Sequence, residues 1–121
     1  MKLNPDCIRA ILLTVEDKCD FDTPWEYEKD NFESEYLVEY AHKEIVYHIR
    51  QSEESGLIQG VHYYDGGNSI LVCDLTPSGH EFLANIRNDS LWKKIIAKAS
   101  GASLPILLEV AKDAALRYFL T

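Results

Sequence analysis

Two runs of β-prone residues, Ile58–Tyr64 and Ser69–Leu75, are separated by only Asp65-Gly66-Gly67-Asn68. Those four residues tolerate positive φ, which a tight reversal demands, so the segment folds back on itself as a β-hairpin. Helix punctuation stands on both sides. Before the hairpin, residues 42–55 read as a helix with Ile45, Ile49 and Ser52 on one stripe and Val46 beside it, and Gly56 occupies the place of a C′ glycine. After it, Thr76-Pro77 supplies an N-cap residue followed by proline at the first helical position. Phe82, Leu83 and Ile86 then form a buried face.

The remaining elements are placed around this unit. Asn4-Pro5 is another N-cap and proline pair, and Ile8, Ile11, Leu12 and Val15 recur at i, i+3, i+4 and i+7, giving a helix of about three turns that ends near Asp17. Residues 18–35 are polar, acidic and aromatic without a dominant period, and Pro24 with the Asp-rich run favours a loop or an edge strand. Tyr36–Tyr40 has strand composition and is expected to pair with the hairpin. Asp89-Ser90 caps a further helix that turns Leu91, Trp92, Ile95 and Ile96 inward and closes at Gly101. Ser103 opens the last helix, with a wide stripe of Leu104, Leu107, Leu108, Ala111, Ala114, Ala115 and Tyr118. The fold class is therefore α+β. A chain of 121 residues with 46% hydrophobic residues forms one domain. Its core unit is expected over 1–88, and 89–121 form a C-terminal helical extension.

Composition narrows the chemistry. The most apolar stretch, Leu104–Leu108, continues into Glu109, Lys112 and Asp113, too short and too charged to cross a bilayer, so no membrane is expected as a partner. The opening Met-Lys-Leu-Asn-Pro-Asp lacks the apolar core of a signal peptide, and three irregularly spaced cysteines make no disulfide framework, so a reducing cytoplasm is the expected compartment. Cys7, Cys19 and Cys73 with His42, His48, His62 and His80 show no zinc-ligand spacing, and no nucleophile motif or phosphate-binding loop is present. No cofactor, metal or enzymatic activity is expected. Charge is unevenly distributed within a net −8: residues 16–54 hold thirteen acids against four bases, while 87–121 hold six bases against three acids.

A helix ending in Glu-Glu-Ser-Gly-Leu-Ile, a two-stranded wing with a glycine tip, and Leu-Thr-Pro-x-Gly opening the next helix together resemble a winged-helix module. Ser52 stands where that group usually has leucine. The similarity extends over nearly the whole chain, through the opening Met-Lys-Leu-Asn-Pro-Asp-Cys-Ile-Arg-Ala-Ile-Leu-Leu, Tyr47-His48-Ile49-Arg50-Gln51, Leu75-Thr76-Pro77-Ser78-Gly79-His80-Glu81-Phe82-Leu83 and Trp92-Lys93-Lys94. These resemble the "domain of unknown function 2513" family, small proteins of bacterial and phage genomes. The resemblance implies a winged-helix-like core and brings no catalytic residues. It departs from a helix-turn-helix in one respect: the residues before His42 read as an acidic, aromatic strand where a supporting helix belongs.

Two functional expectations follow. As a DNA-binding transcriptional regulator, the chain would present Lys43, Tyr47, Arg50 and Gln51 on the outward face of the 42–55 helix, with His48 at its margin, and Tyr63 and Asn68 on the wing. Residues 42–75 hold only two bases against five acids, which is poor phosphate neutralisation. As a protein-interaction adaptor, it would use the acidic aromatic segment 20–40, with Trp25, Tyr27, Phe32 and Tyr36 as anchors. The wide stripe of the last helix offers a seam for a homo-oligomer.

Overall fold

The computed structural model describes residues 1–30 and 34–120. Helix α1 (Pro5–Lys18) leads into strand β1 (Trp25–Glu28), helix α2 (His42–Glu54), the hairpin of β2 (Ile58–Tyr64) and β3 (Ser69–Leu75), and helices α3 (Pro77–Ile86), α4 (Asp89–Lys98) and α5 (Leu104–Leu120). The three strands form an antiparallel sheet in the order β1-β3-β2. The architecture is thus α+β. Among the described residues, no helix is long and apolar enough to cross a membrane.

The apolar stripe of α1 becomes the centre of the core. Ile8, Ile11, Leu12 and Val15 are fully buried, together with Ile45 and Ile49 of α2, Ile70 and Val72 of β3, and Leu83 and Ile86 of α3. Trp92 and Ile95 of α4 and Leu104, Leu107 and Ala111 of α5 join the same cluster, so the C-terminal helices share the core rather than standing apart. Caps hold the helix starts as the sequence implies: Asn4 Oδ1 accepts from the Asp6 amide, and Thr76 Oγ1 accepts from the Gly79 amide. The cap of α4 is Asn88, whose side chain accepts from the Leu91 amide, one residue before the expected Asp89. The reversal between β2 and β3 places Asp65, Gly66 and Gly67 at positive φ in a short 3₁₀ turn.

Two expectations are corrected. Tyr36–Tyr40 is not a strand. Its backbone closes turns, with the Leu37 amide on Ser34 O and the Tyr40 amide on Leu37 O. Leu37 is fully buried as a peg, and Ser34 donates its hydroxyl to Thr14 Oγ1, since the Thr14 hydroxyl is already given to Ala10 O. The free edge of β3 is taken by Trp25–Glu28 in the segment read as a loop or edge strand, with Trp25 opposite Val72 and Tyr27 opposite Ile70. Trp-Glu-Tyr-Glu does alternate apolar and polar, but over four residues only. The second correction concerns His48, which is wholly buried rather than marginal. Its Nε2 accepts from the Asn4 amide at 2.8 Å, and its Nδ1 meets Glu44 O at 2.7 Å. A carbonyl only accepts, so the ring is the neutral Nδ1–H tautomer, tying the entry of α1 to α2.

Candidate functional site

The family-like motifs interlock as structure. The Thr76 amide donates to Leu57 O at 3.0 Å, and the Thr76 hydroxyl donates to Gly56 O. Gly79 lies against the same Leu57 carbonyl so closely that a Cβ there would sit 2.0 Å from the oxygen. Gly-Leu-Ile and Leu-Thr-Pro-x-Gly are therefore the two halves of one joint between the end of α2 and the start of α3. Ser52, wholly buried in the core, gives its hydroxyl to His48 O at 2.7 Å, which satisfies the buried polar atom.

Arg9 forms a second joint. Its guanidinium donates to Ile86 O, Arg87 O and Asp89 Oδ1 at 2.8–3.0 Å, binding α1 to the α3–α4 connection. It lies 5.7 Å from the Trp92 ring centre, and Trp92 Nε1 donates to Asp6 Oδ1. Arg87 in turn holds both Glu16 carboxylate oxygens, and these hydrogen bonds keep the Glu16 pKa below the ordinary carboxylate value.

The expected DNA-facing residues lie along α2 and the hairpin. Lys43 and Arg50 are exposed, while Tyr47 and Gln51 are half-buried. Tyr47 sets its ring edge-on to His48. The structure brings Arg50 and Tyr63 together: the guanidinium lies 5.8 Å from the ring centre, and the Tyr63 hydroxyl donates to Glu53 at 2.9 Å. Burial and the Glu53 contact push the Tyr63 hydroxyl up to about 12. Asn68 is exposed at the hairpin end, where its carbonyl accepts from the Lys29 amide. The neighbouring Gly67 packs toward Val46, so the tip rests on α2. Between β1 and α2, the described residues 34–40 form turns, not a supporting helix. The start of α2 is instead held by Tyr27, whose hydroxyl shares a 2.6 Å hydrogen bond with His42 Nδ1 and whose ring stacks on the imidazole.

The adaptor anchors are corrected. Trp25 is 3% exposed and Tyr27 0%, because the period-two face of β1 is the face that meets the core. Tyr36 is half-buried and lines a polar groove of about 310 Å³ with Asp6, Arg9, Glu35, Glu39 and Tyr40. Phe32 lies outside the described residues.

A model of the family described as "Hypothetical protein (DUF2513)" matches residues 2–105. The chain belongs to the DUF2513 family. It is also 28% identical over 116 residues to an "Uncharacterized protein" of Haemophilus influenzae (strain ATCC 51907 / DSM 11121 / KW20 / Rd), covering 95% of this chain and 92% of that one. No solved structure matches it.

The thiols of this DUF2513 protein have structural settings. Burial, with the Glu44 charge, pushes Cys7 up to about 12, and burial pushes Cys19 up to about 11. Cys19 donates to Val72 O at 3.4 Å, at the end of the β1–β3 ladder where Val72 faces Trp25. Among the described residues, no group of three or more His, Cys, Asp or Glu is placed to hold a metal. With a thiol reagent at pH 8, exposed Cys73 is expected to react first, and Cys7 and Cys19 at least tenfold more slowly than Cys73 until the chain is unfolded. Mass spectrometry of single and multiple adducts checks this; rapid labelling of Cys7 in the native protein contradicts it.

Proposed function

We propose that this protein is a non-catalytic winged-helix regulatory module that acts on duplex DNA through the face formed by α2 and the hairpin. The observation that carries the reading is the placement of exposed Arg50 against Tyr63, which joins helix and wing into one surface beside Lys43. The sheet order β1-β3-β2, with the first strand added to the hairpin, supports it. So does the start of α2. Ala41 occupies the N-cap position without a side-chain acceptor, so among the described residues no side chain caps the first-turn amides of α2, beside Lys43. Helix N-termini of this kind contact phosphates, and Arg50 has the geometry to pair with a guanine edge. Glu44, Glu53, Glu54 and Asp65 share the face, so affinity per copy is low and falls steeply with salt.

The test is titration of mixed-sequence duplex DNA at low and then moderate salt. Binding is expected at low salt, with log K falling by about 2–3 per tenfold rise in salt, and Lys43→Ala is expected to reduce that slope by about 1. Ala41→Asp separates the two roles of the helix start. It is expected to stabilise the fold by about 1 kcal/mol through capping and to weaken DNA binding by placing a negative charge where a phosphate would approach. Absence of binding at low salt would sink the reading. A protein partner is the second reading, moved from Trp25 and Tyr27 to the groove of Tyr36 and Tyr40.

A further inference from the structure

The described residues expose one aromatic ring completely. Phe21 is 101% accessible, yet it is not on a slack loop. Asp20 and Thr23 form reciprocal backbone hydrogen bonds of 2.8 and 3.3 Å, and Asp20 Oδ1 accepts from the Phe21 amide at 2.6 Å. Phe21 and Asp22 are thus the tip of a closed two-residue turn that presents an apolar ring between two carboxylates. A single exposed apolar residue is ordinary on a protein surface; what sets Phe21 apart is that an ordered turn fixes its ring between the carboxylates of Asp20 and Asp22.

A groove of matching chemistry lies between α4 and α5. It encloses about 340 Å³ over a floor of Ile95, Val110 and Ala114, with Lys94, Lys98 and Tyr118 at its rim. The groove's carboxylate, Asp113, is held by Arg117 at 3.2 Å. In a chain of net charge −8, this is the region where bases outnumber acids. An aromatic ring flanked by carboxylates is its complement in both shape and charge.

We infer that the Phe21 turn of one copy docks into the α4–α5 groove of a second copy, with Phe21 on the apolar floor and Asp20 and Asp22 against Lys94 and Lys98. The turn does not reach the groove of its own chain. Trp92 of α4 meets Asp6 in the first turn of α1, whereas the Phe21 turn follows the last, and α1 is about 20 Å long. The two surfaces differ, so the contact is head-to-tail and propagates unless the rotation closes a ring. One turn in one groove is smaller than a standard interface, so the dissociation constant per contact is on the order of 100 μM. Such association multiplies weak binding faces along a shared ligand, although the contact itself does not depend on what that ligand is.

Sedimentation velocity from about 10 μM to about 1 mM tests this, at moderate salt where the general repulsion between acidic chains is screened within about 10 Å. The wild-type weight-average mass is expected to rise above the dimer value with concentration. Phe21→Ser and Lys98→Glu, both at exposed positions, are each expected to remain monomeric, with circular dichroism confirming that they fold. An equimolar mixture of the two variants retains one intact turn and one intact groove, so it forms dimers and nothing larger. A wild type that stays monomeric to about 1 mM, or association that Phe21→Ser leaves unchanged, overturns the proposal.

Discussion

Gly79→Ala is expected to lower stability by about 3 kcal/mol, even though alanine is the better helix former. Position 79 is in the first turn of α3, and propensity alone predicts a gain of about 1 kcal/mol. Packing predicts the reverse. The added Cβ would stand 2.0 Å from Leu57 O and 3.0 Å from its carbonyl carbon. Backbone on both sides has to separate, and in doing so it strains the bond from the Thr76 amide to Leu57 O. The consequence extends past α3, because Gly56 and Leu57 end α2 and begin the hairpin. Urea denaturation of the variant, with Ser78→Ala at the exposed neighbouring position as control, gives the comparison. A Gly79→Ala protein as stable as wild type would mean that α3 is not seated on Leu57 in this way. The effect also bears on function: Leu-Thr-Pro-x-Gly is one half of a joint, and substitution at its glycine alters the α2–hairpin geometry without removing any surface group.

Much of this architecture is legible in the sequence because it is written in local signals. Asp-Gly-Gly-Asn fixes the hairpin, whose strands Ile58–Tyr64 and Ser69–Leu75 fall where the β-prone runs stand. Asn4-Pro5 and Thr76-Pro77 fix two helix starts, and the stripe of α1 identifies the centre of the core. The failures occur where tertiary competition decides. Trp25–Glu28 and Tyr36–Tyr40 are both short and aromatic, and a single edge of β3 is available to them. The first takes it because its alternation buries Trp25 and Tyr27 together, while the second is pegged by Leu37 and closed by turns. His48 and Ser52 read as surface or weak core by residue type, yet hydrogen bonds to Asn4, Glu44 and each other let both be buried. The candidate surface is legible only in part. Outward positions of α2 follow from period, but the meeting of Arg50 with Tyr63 across α2 and β2 has no sequence signature. Nor does the groove between α4 and α5, which depends on how two helices cross.

Trp25→Ala and Tyr27→Ala are each expected to cost about 3–5 kcal/mol, which is a large part of the about 5–15 kcal/mol that holds a domain of this size together. Both rings are buried between β1 and the core, 5.9 Å apart and edge to face. Removing either leaves a cavity under an edge strand of only four residues. Tyr27 carries a second burden, because its hydroxyl and ring hold His42 at the start of α2 where the described residues offer no supporting helix. Tyr27→Phe isolates that part: it keeps the packing and loses the bond, with an expected cost of about 1 kcal/mol and a looser first turn of α2. Phe21→Ala, fully exposed, is expected to stay within about 0.5 kcal/mol of wild type. Thermal and urea unfolding of the four variants rank them. If Trp25→Ala folds as well as wild type while Phe21→Ala does not, the segment faces the opposite way, with Phe21 in the core and Trp25 on an interaction surface. The expected order instead makes β1 the brace of α2, so that substitutions there reach any partner of the α2–hairpin face only through the fold.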